Sequence, residues 1–276
     1  MINFNGILQN PNDTKLLNRA FSYGDAVFET IKLVNKHKLL FWEDHYFRLM
    51  ASMRILRMKI PMNFTMEFLE QEILGLIKEN NLDSARIRIT VFRNDGGYYL
   101  PKTQAVSYVI ETTPIETIHY DFLADYEVEL FKDFYISKHL LSTLKTTNKL
   151  VQITASIFAE ENGYMSCLMM NEDKNIVEAI SGNLFMVLNN TVVTPPLSEG
   201  CLNGIMRKQI IALLKKEVAF TFEERPISPF ELQKAEELFI SNVIKGIQPI
   251  TKYRKKVYET KVSKLLISNL NKLIID

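Results

Sequence analysis

Between Ser166 and Pro196 the chain offers four short segments, SCLMMN, NIVEA, NLFMVLNN and TVVTPP, each rich in β-formers and each bounded by Asn, Asp, Gly or Pro turns. So many short strands in so little chain leave room only for local reversals, and the expectation is a small antiparallel sheet or barrel. Strand character near 126–136 and a helix over about 148–162 precede this run, with Leu150, Ile153, Ile157 and Phe158 read as one buried stripe and Gly163 as the stop. After it come the helix GIMRKQIIALLKKE (204–217), the strand EELFISN, and a last helix with Val262, Leu265, Leu266, Leu270 and Leu273 placed inward. No internal repeat is visible.

The first half reads differently. NFNGIL and the pair AVFETIKLV and HKLLFW are short strands with turns at Asn5-Gly6 and Asn35-Lys36, the pair forming a hairpin. Trp42, Tyr46, Leu49, Met53 and Leu56 recur in steps of four and three, which predicts an amphipathic helix that stops before Pro61. A second helix is expected over about 65–78, and ARIRITVF and AVSYVIET return to strand character. Arg86 and Arg88 alternate with apolar residues, so the two faces of that strand differ chemically. TTPIETIHYD (112–121) carries a proline and no period. The predicted organisation is an N-terminal α/β domain over 1–114, a linker over 115–122 and a C-terminal domain over 123–276, an α+β chain in two domains.

At 276 residues, 47% hydrophobic and 24% charged, such a chain can bury a sizeable core. No run approaches the roughly 18 apolar residues that span a bilayer. MINFNGILQN has no basic region followed by an apolar stretch, and Cys167 and Cys201 have neither disulfide-framework numbers nor metal-ligand spacing. Together these point to a reducing cytoplasm, with no metal site and no membrane partner. A net charge of +1 argues against a broad nucleic-acid surface and leaves room for a local basic pocket that takes a small anion. His119 and His139 pair with no acid or cysteine, and His45, near Arg48, reads as helix packing.

Three places carry candidate chemistry. Lys145, in LLSTLKTTNKLVQI, follows a β-rich run and precedes a helix, where a desolvated amine can act as a Schiff-base nucleophile. Alone, it reads more readily as an exposed lysine at a helix start. Glu178 ends an apolar strand ahead of the Gly182-Asn183 turn, and a buried carboxylate there needs a partner. A surface salt bridge is the plainer alternative. In PPLSEGCLNGIMRKQII, Gly204 stands immediately before a helix, so backbone N–H groups near Gly204, Ile205 and Met206 can hold a phosphate at the positive end of the dipole. Glycine before a helix is common, and this signal is weak by itself.

Taken together, the segments resemble the class IV (fold-type IV) pyridoxal 5′-phosphate (PLP) enzymes, which include aminodeoxychorismate lyase, branched-chain aminotransferase and D-amino acid aminotransferase. Six stretches match in order at family-like spacing: NRAFSYGDAVFETIKL, EDHYFRLMAS, LKTTNKL, VEAISGNLF, LNGIMR and ELFISNVIKGIQPI. The resemblance implies a smaller N-terminal α/β sandwich and a larger C-terminal pseudo-barrel with surrounding helices. It implies Lys145 as the lysine joined to the cofactor, Glu178 on the pyridine nitrogen and Arg48 on the phosphate. Gly204, Ile205, Met206 and Asn242 complete the phosphate cup, and Asn148 and Ser181 are further cofactor positions. Arg48 suits that task because its fork of donors matches a phosphate better than a lysine would. Relatives are usually homodimers with a loop lent by the partner, and the same is expected here.

Departures from pattern sort the members. Branched-chain aminotransferases typically carry Tyr five residues after the lysine and Gly after the early Phe-Glu; this chain has Leu150 and Thr30 there. D-amino acid aminotransferases usually show Arg-x-His, and RNDGGYYLP has no His. Aminodeoxychorismate lyases often show Asn three residues after the lysine, Asn-Gly-Ile-Met-Arg at the phosphate helix and Asn in the last site strand, matched by Asn148, Asn203–Arg207 and Asn242. The expected reaction is conversion of 4-amino-4-deoxychorismate to 4-aminobenzoate and pyruvate in folate synthesis. Lys145 moves the proton, and Lys145 or Thr30 protonates the departing group. Phe28 and Tyr98 would line the pocket, and Arg88 or Arg93 would bind a carboxylate, although Arg86 and Arg88 read equally well as solvated strand residues. The alternatives are an aminotransferase acting on branched-chain or other amino acids with a 2-oxo acid acceptor, and a silent binding protein. Retention of Lys145, Glu178 and Arg48 together speaks against the silent form.

Overall fold

Three nine-residue strands set the frame of the first half. In this computed structural model, which describes residues 1–13, 18–216 and 219–275, the chain forms two compact units: Met1–Ile118 with Lys145–Asn148, and His119–Leu144 with Lys149–Asp276. The residues 115–122 are thus divided between the units, and four residues around Lys145 count with the first.

The first unit runs β1 (Ile2–Phe4), β2 (Ile7–Gln9), α1 (Arg19–Tyr23), β3 (Ala26–Val34), β4 (Lys38–Leu39), α2 (Trp42–Ile55), α3 (Met66–Glu79), β5 (Ala85–Arg93) and β6 (Val106–Pro114). Its six strands form an antiparallel sheet in the order β2-β1-β6-β5-β3-β4. The register, from Ala26 opposite Phe92 to Leu33 opposite Ala85, decides the chemistry of each face. Odd-numbered Val27, Ile31, Leu33, Ile87, Ile89 and Val91 join Leu49, Met53, Leu69, Ile73 and Leu76 of the two helices in one core. Even-numbered Phe28, Thr30, Lys32, Arg86, Arg88 and Thr90 are paired across the strands and stand on the other face.

The second unit contains β7 (Glu127–Leu130), α4 (Leu150–Glu161), β8 (Ser166–Met170), β9 (Ile176–Ala179), β10 (Gly182–Leu188), β11 (Thr191–Thr194), α5 (Ile205–Leu214), β12 (Thr221–Glu224), β13 (Glu237–Asn242), β14 (Gly246–Ile250), β15 (Lys252–Tyr253), β16 (Lys256–Val257) and α6 (Lys261–Ile275). The sheet follows β12-β11-β10-β9-β8-β7-β15-β16, and β13 pairs with both β10 and β14. One edge of β10 is shared, with β9 opposite Gly182 and Asn183 and β11 opposite Met186–Leu188, so the sheet curls into the expected half-barrel. Pairings β7/β8, β7/β15 and β11/β12 are parallel, so the sheet is mixed rather than wholly antiparallel. Glu217, the last residue of the predicted helix at 204–217, lies outside the described residues.

Two inward stripes differ from expectation. Leu150, Ile153 and Ile157 of α4 are exposed, and the buried positions are Ala155 and Ala159, with Phe158 and Val151 packed beside them. The small alanines pack in one core with Cys167 and Met169 of β8, and the bulky residues take the opposite side. In α6, Leu265 and Leu273 face outward, while Val262, Leu266, Ile267, Leu270 and Ile274 are buried. The buried Glu237 of β13 fixes that rotation by accepting the N–H groups of Val262 (2.7 Å) and Ser263 (3.1 Å) at the helix start.

Candidate active site

Within the first unit, Lys145 is tied to the start of β3. The N–H of Phe28 donates to the Lys145 carbonyl (2.8 Å), the N–H of Thr147 donates to Ala26 O (3.1 Å), and Thr146 bridges Val27. The Lys145 Nζ lies 4.5 Å from the Phe28 ring centroid, and the Arg88 guanidinium lies 3.7 Å from the same ring. Arg88 makes one hydrogen bond, from Nε to Thr90 Oγ1 (3.1 Å), and meets no carboxylate at ion-pair distance among the described residues. Burial pushes its guanidinium down, with Glu111 opposing and Arg86 assisting. Thr30 is directly opposite Arg88, and Arg88 opposite Glu111, in one cross-strand row. Two residues along β3, burial pushes the Lys32 amine down to about 8.

Three other expected residues have different work. Arg93 is odd-numbered on β5 and so falls on the core face. Its Nε donates to Asp25 (2.9 Å), Nη2 to Leu56 O (2.8 Å), and Nη1 to Arg57 O and Gln104. It is no substrate arginine; it holds the loop after β5 against the end of α2. Asp25 also receives Arg19 Nε (2.8 Å), and Arg19 Nη1 reaches the Tyr98 carbonyl (2.8 Å), so the backbone of that loop is held while the Tyr98 side chain is 83% exposed. Asn148 donates its Nδ2 to Gly24 O (3.2 Å) and clamps the Lys145 segment. Gly24 is left-handed (φ 63°), and a Cβ there would lie 2.3 Å from Asn148 Oδ1. Arg93→Ala leaves Asp25 short of a buried partner and is expected to lower stability by roughly 3 kcal/mol or more, read by urea unfolding.

Arg48 of α2 is bound on the core side of β3. Its Nε donates to Glu29 Oε1 (2.8 Å) and its Nη2 to Glu29 Oε2 (2.5 Å), while His45 Nδ1 lies 2.7 Å from Glu29 Oε2. Burial alone would raise the Glu29 carboxyl, but the charge and hydrogen bonds of Arg48, then those of His45, bring it to about 2. Burial holds the His45 imidazole below its ordinary value, against the pull of Glu29. Because the folded value for Glu29 lies below the ordinary 4.5, its stabilisation is present above 4.5 and is lost as pH falls through about 2. Acid unfolding followed by circular dichroism should show this component, on the order of 3 kcal/mol, and Glu29→Gln should lack it.

In the second unit, Glu178, Asn183 and Ser241 stand in one row across β9, β10 and β13. The Glu178 carboxylate is 8% exposed, and its Oε2 accepts the Leu202 N–H (2.9 Å). Asn183 Nδ2 donates to Leu202 O (2.8 Å). Gly204 caps α5 without a side-chain bond, and a Cβ on it would lie 2.0 Å from Asn183 Oδ1. Only glycine fits there, which leaves the first-turn N–H groups of Ile205 and Met206 without a side-chain cap. Asn242 Oδ1 accepts the N–H groups of Ile244 (3.1 Å) and Lys245 (2.9 Å), closing the turn into β14. Ser181 is exposed in the β9–β10 turn. The Ser241 hydroxyl is buried with no hydrogen-bond partner among the described residues.

Sequence reasoning passed over Glu29, Asn183 and Ser241 and read His45 as packing. The signals were there: Glu29 has the parity of core residues, and His45 and Arg48 are three apart on one helix.

The family model for Amino-transferase class IV matches residues 26–253. The chain is 28% identical over 262 residues to the branched-chain-amino-acid aminotransferase of Escherichia coli, covering 90% of this chain and 82% of that one. It is 25% identical over 242 residues to the aminodeoxychorismate lyase of Vibrio harveyi, covering 84% of each. The crystal structure of the Escherichia coli branched-chain aminotransferase superposes with a TM-score of 0.88 at 25% identity, covering 99% of this chain and 94% of that one. The chain belongs to the amino-transferase class IV family of PLP-dependent enzymes.

Proposed function

We propose that the chain is a lyase that converts 4-amino-4-deoxychorismate to 4-aminobenzoate and pyruvate. The observation that carries this reading is Thr30: its position puts a hydroxyl on the β3 face of Phe28, the residue over whose ring Lys145 Nζ lies. An elimination has to return a proton to the departing group, and a hydroxyl at this position can carry it from the lysine where a glycine could not.

The residues fit PLP. Glu178 offers a carboxylate already fixed by the Leu202 N–H, suited to hold a proton on a pyridine nitrogen. The uncapped start of α5, with Gly204 against Asn183, is a cradle for phosphate that a Cβ would fill. When bound, PLP supplies an electron sink for the carbon that loses its proton. Lys145 Nζ takes that proton, and the resulting ammonium returns it to the departing enolpyruvyl group through the Thr30 hydroxyl, which releases its own proton as it receives the one from Lys145. Arg88 binds a substrate carboxylate through Nη1 and Nη2, with the Phe28 ring fixing its plane. Arg48, Gly204, Ile205, Met206 and Asn242 are assigned to the phosphate. The uncommitted Arg88 edge also favours a second reading, an aminotransferase whose 2-oxo acid acceptor carries a second carboxylate.

We place the activity in a homodimer in the cytoplasm, as part of folate synthesis. Exposed Leu150, Ile153 and Ile157 and the tip Tyr98, Tyr99 and Leu100 are apolar surface that a second copy would cover. One assay separates the readings. Aminobenzoate from aminodeoxychorismate alone, with no glutamate from leucine plus 2-oxoglutarate, is the expected pattern; the reverse pattern overturns the lyase and leaves the family intact.

A further inference from the structure

Glu29 occupies an unusual place for a polar group, the core face of β3 among Val27, Ile31 and Ile89, and His45 of α2 meets it there. A carboxylate 1% exposed and an imidazole 0% exposed are expensive to bury, and apolar residues of similar size would serve stability at least as well. What they do hold is one guanidinium. Glu29 takes Nε and Nη2 of Arg48 in a fork, which fixes the plane of the group, and His45 fixes Glu29 from the adjacent helical turn. Ser52 Oγ donates to the Arg48 carbonyl (2.8 Å), which anchors the helix at the same residue. An unrestrained arginine gives up rotamer freedom when it is fixed on an anion, and this cluster fixes it beforehand.

We propose that Glu29 and His45 are positioning residues that preset Arg48 for the phosphate of the cofactor. The inference rests on the assignment of Arg48 to that phosphate. Since an ionised Glu29 accepts from His45, the proton sits on Nδ1 and Nε2 is left as a bare lone pair, buried with no partner among the described residues. The imidazole thus serves as a neutral prop and adds no charge of its own.

The test uses the full chain freed of cofactor and titrated separately with PLP and with pyridoxal, which lacks the phosphate, each followed by its visible absorbance. Glu29→Gln and His45→Gln are expected to raise the Kd for PLP about tenfold, in the manner of groups that orient a ligand-binding side chain, and to leave the Kd for pyridoxal unchanged. Glu29→Gln risks misfolding because Arg48 loses its counter-charge; His45→Gln keeps the ion pair and is the safer variant. Equal weakening of both ligands, or no change in either, overturns the proposal. Arg48→Lys is the control: if it weakens PLP selectively while the His45 variant does not, only the positioning role fails. If Arg48→Lys leaves the ratio unchanged, the phosphate assignment fails and the proposal with it.

Discussion

Replacing Lys145 by alanine is expected to abolish the visible absorbance of the PLP-loaded protein and to lower kcat by roughly 10²- to 10⁴-fold, the range spanned by loss of one positioned acid–base group. The melting temperature should barely move. The contacts that tie this segment to β3 are backbone bonds, Phe28 N to Lys145 O and Thr147 N to Ala26 O, and they survive the substitution. A variant that kept both its absorbance and its rate would place the chemistry on another lysine.

The second large effect belongs to Glu178. Glu178→Ala leaves the Leu202 N–H without its acceptor and should cost about 1–3 kcal/mol of stability. Glu178→Gln retains an acceptor oxygen and should fold as the parent does. Both are expected to lower kcat/KM by roughly 10²- to 10³-fold, since neither supplies the negative charge that keeps a pyridine nitrogen protonated. Stability lost only in the alanine variant, with activity lost in both, separates the structural duty of this carboxylate from its chemical one. Full activity in the glutamine variant would show that the charge does no work.

How far the site could be read from residues alone depended on parity and on company. Lys145 is locally unremarkable, and its importance came from its order among the other motifs. Arg88 and Arg93 both looked like carboxylate binders, yet period two separates them. Arg88 shares its face with Phe28 and Thr30, whereas Arg93 shares its face with Ile87, Ile89 and Val91 and is consumed by Asp25 and backbone carbonyls. Counting from any core residue of β5 would have excluded it. The helices α2 and α3 were legible because each has one apolar stripe. In α4 the period is sound, but two stripes compete. The buried one is chosen by the small size of Ala155 and Ala159, a packing fact that hydrophobicity ranks wrongly. Asn148 and Gly24 illustrate another limit, because a contact between residues 124 apart has no local signature.

Borohydride reduction of the PLP-loaded protein, followed by peptide mass mapping, tests the central assignment most directly. The reduced cofactor is expected on a single peptide, at Lys145 within LKTTNKL. Its appearance at Lys32 or Lys149 instead, or on no lysine at all, would contradict that assignment.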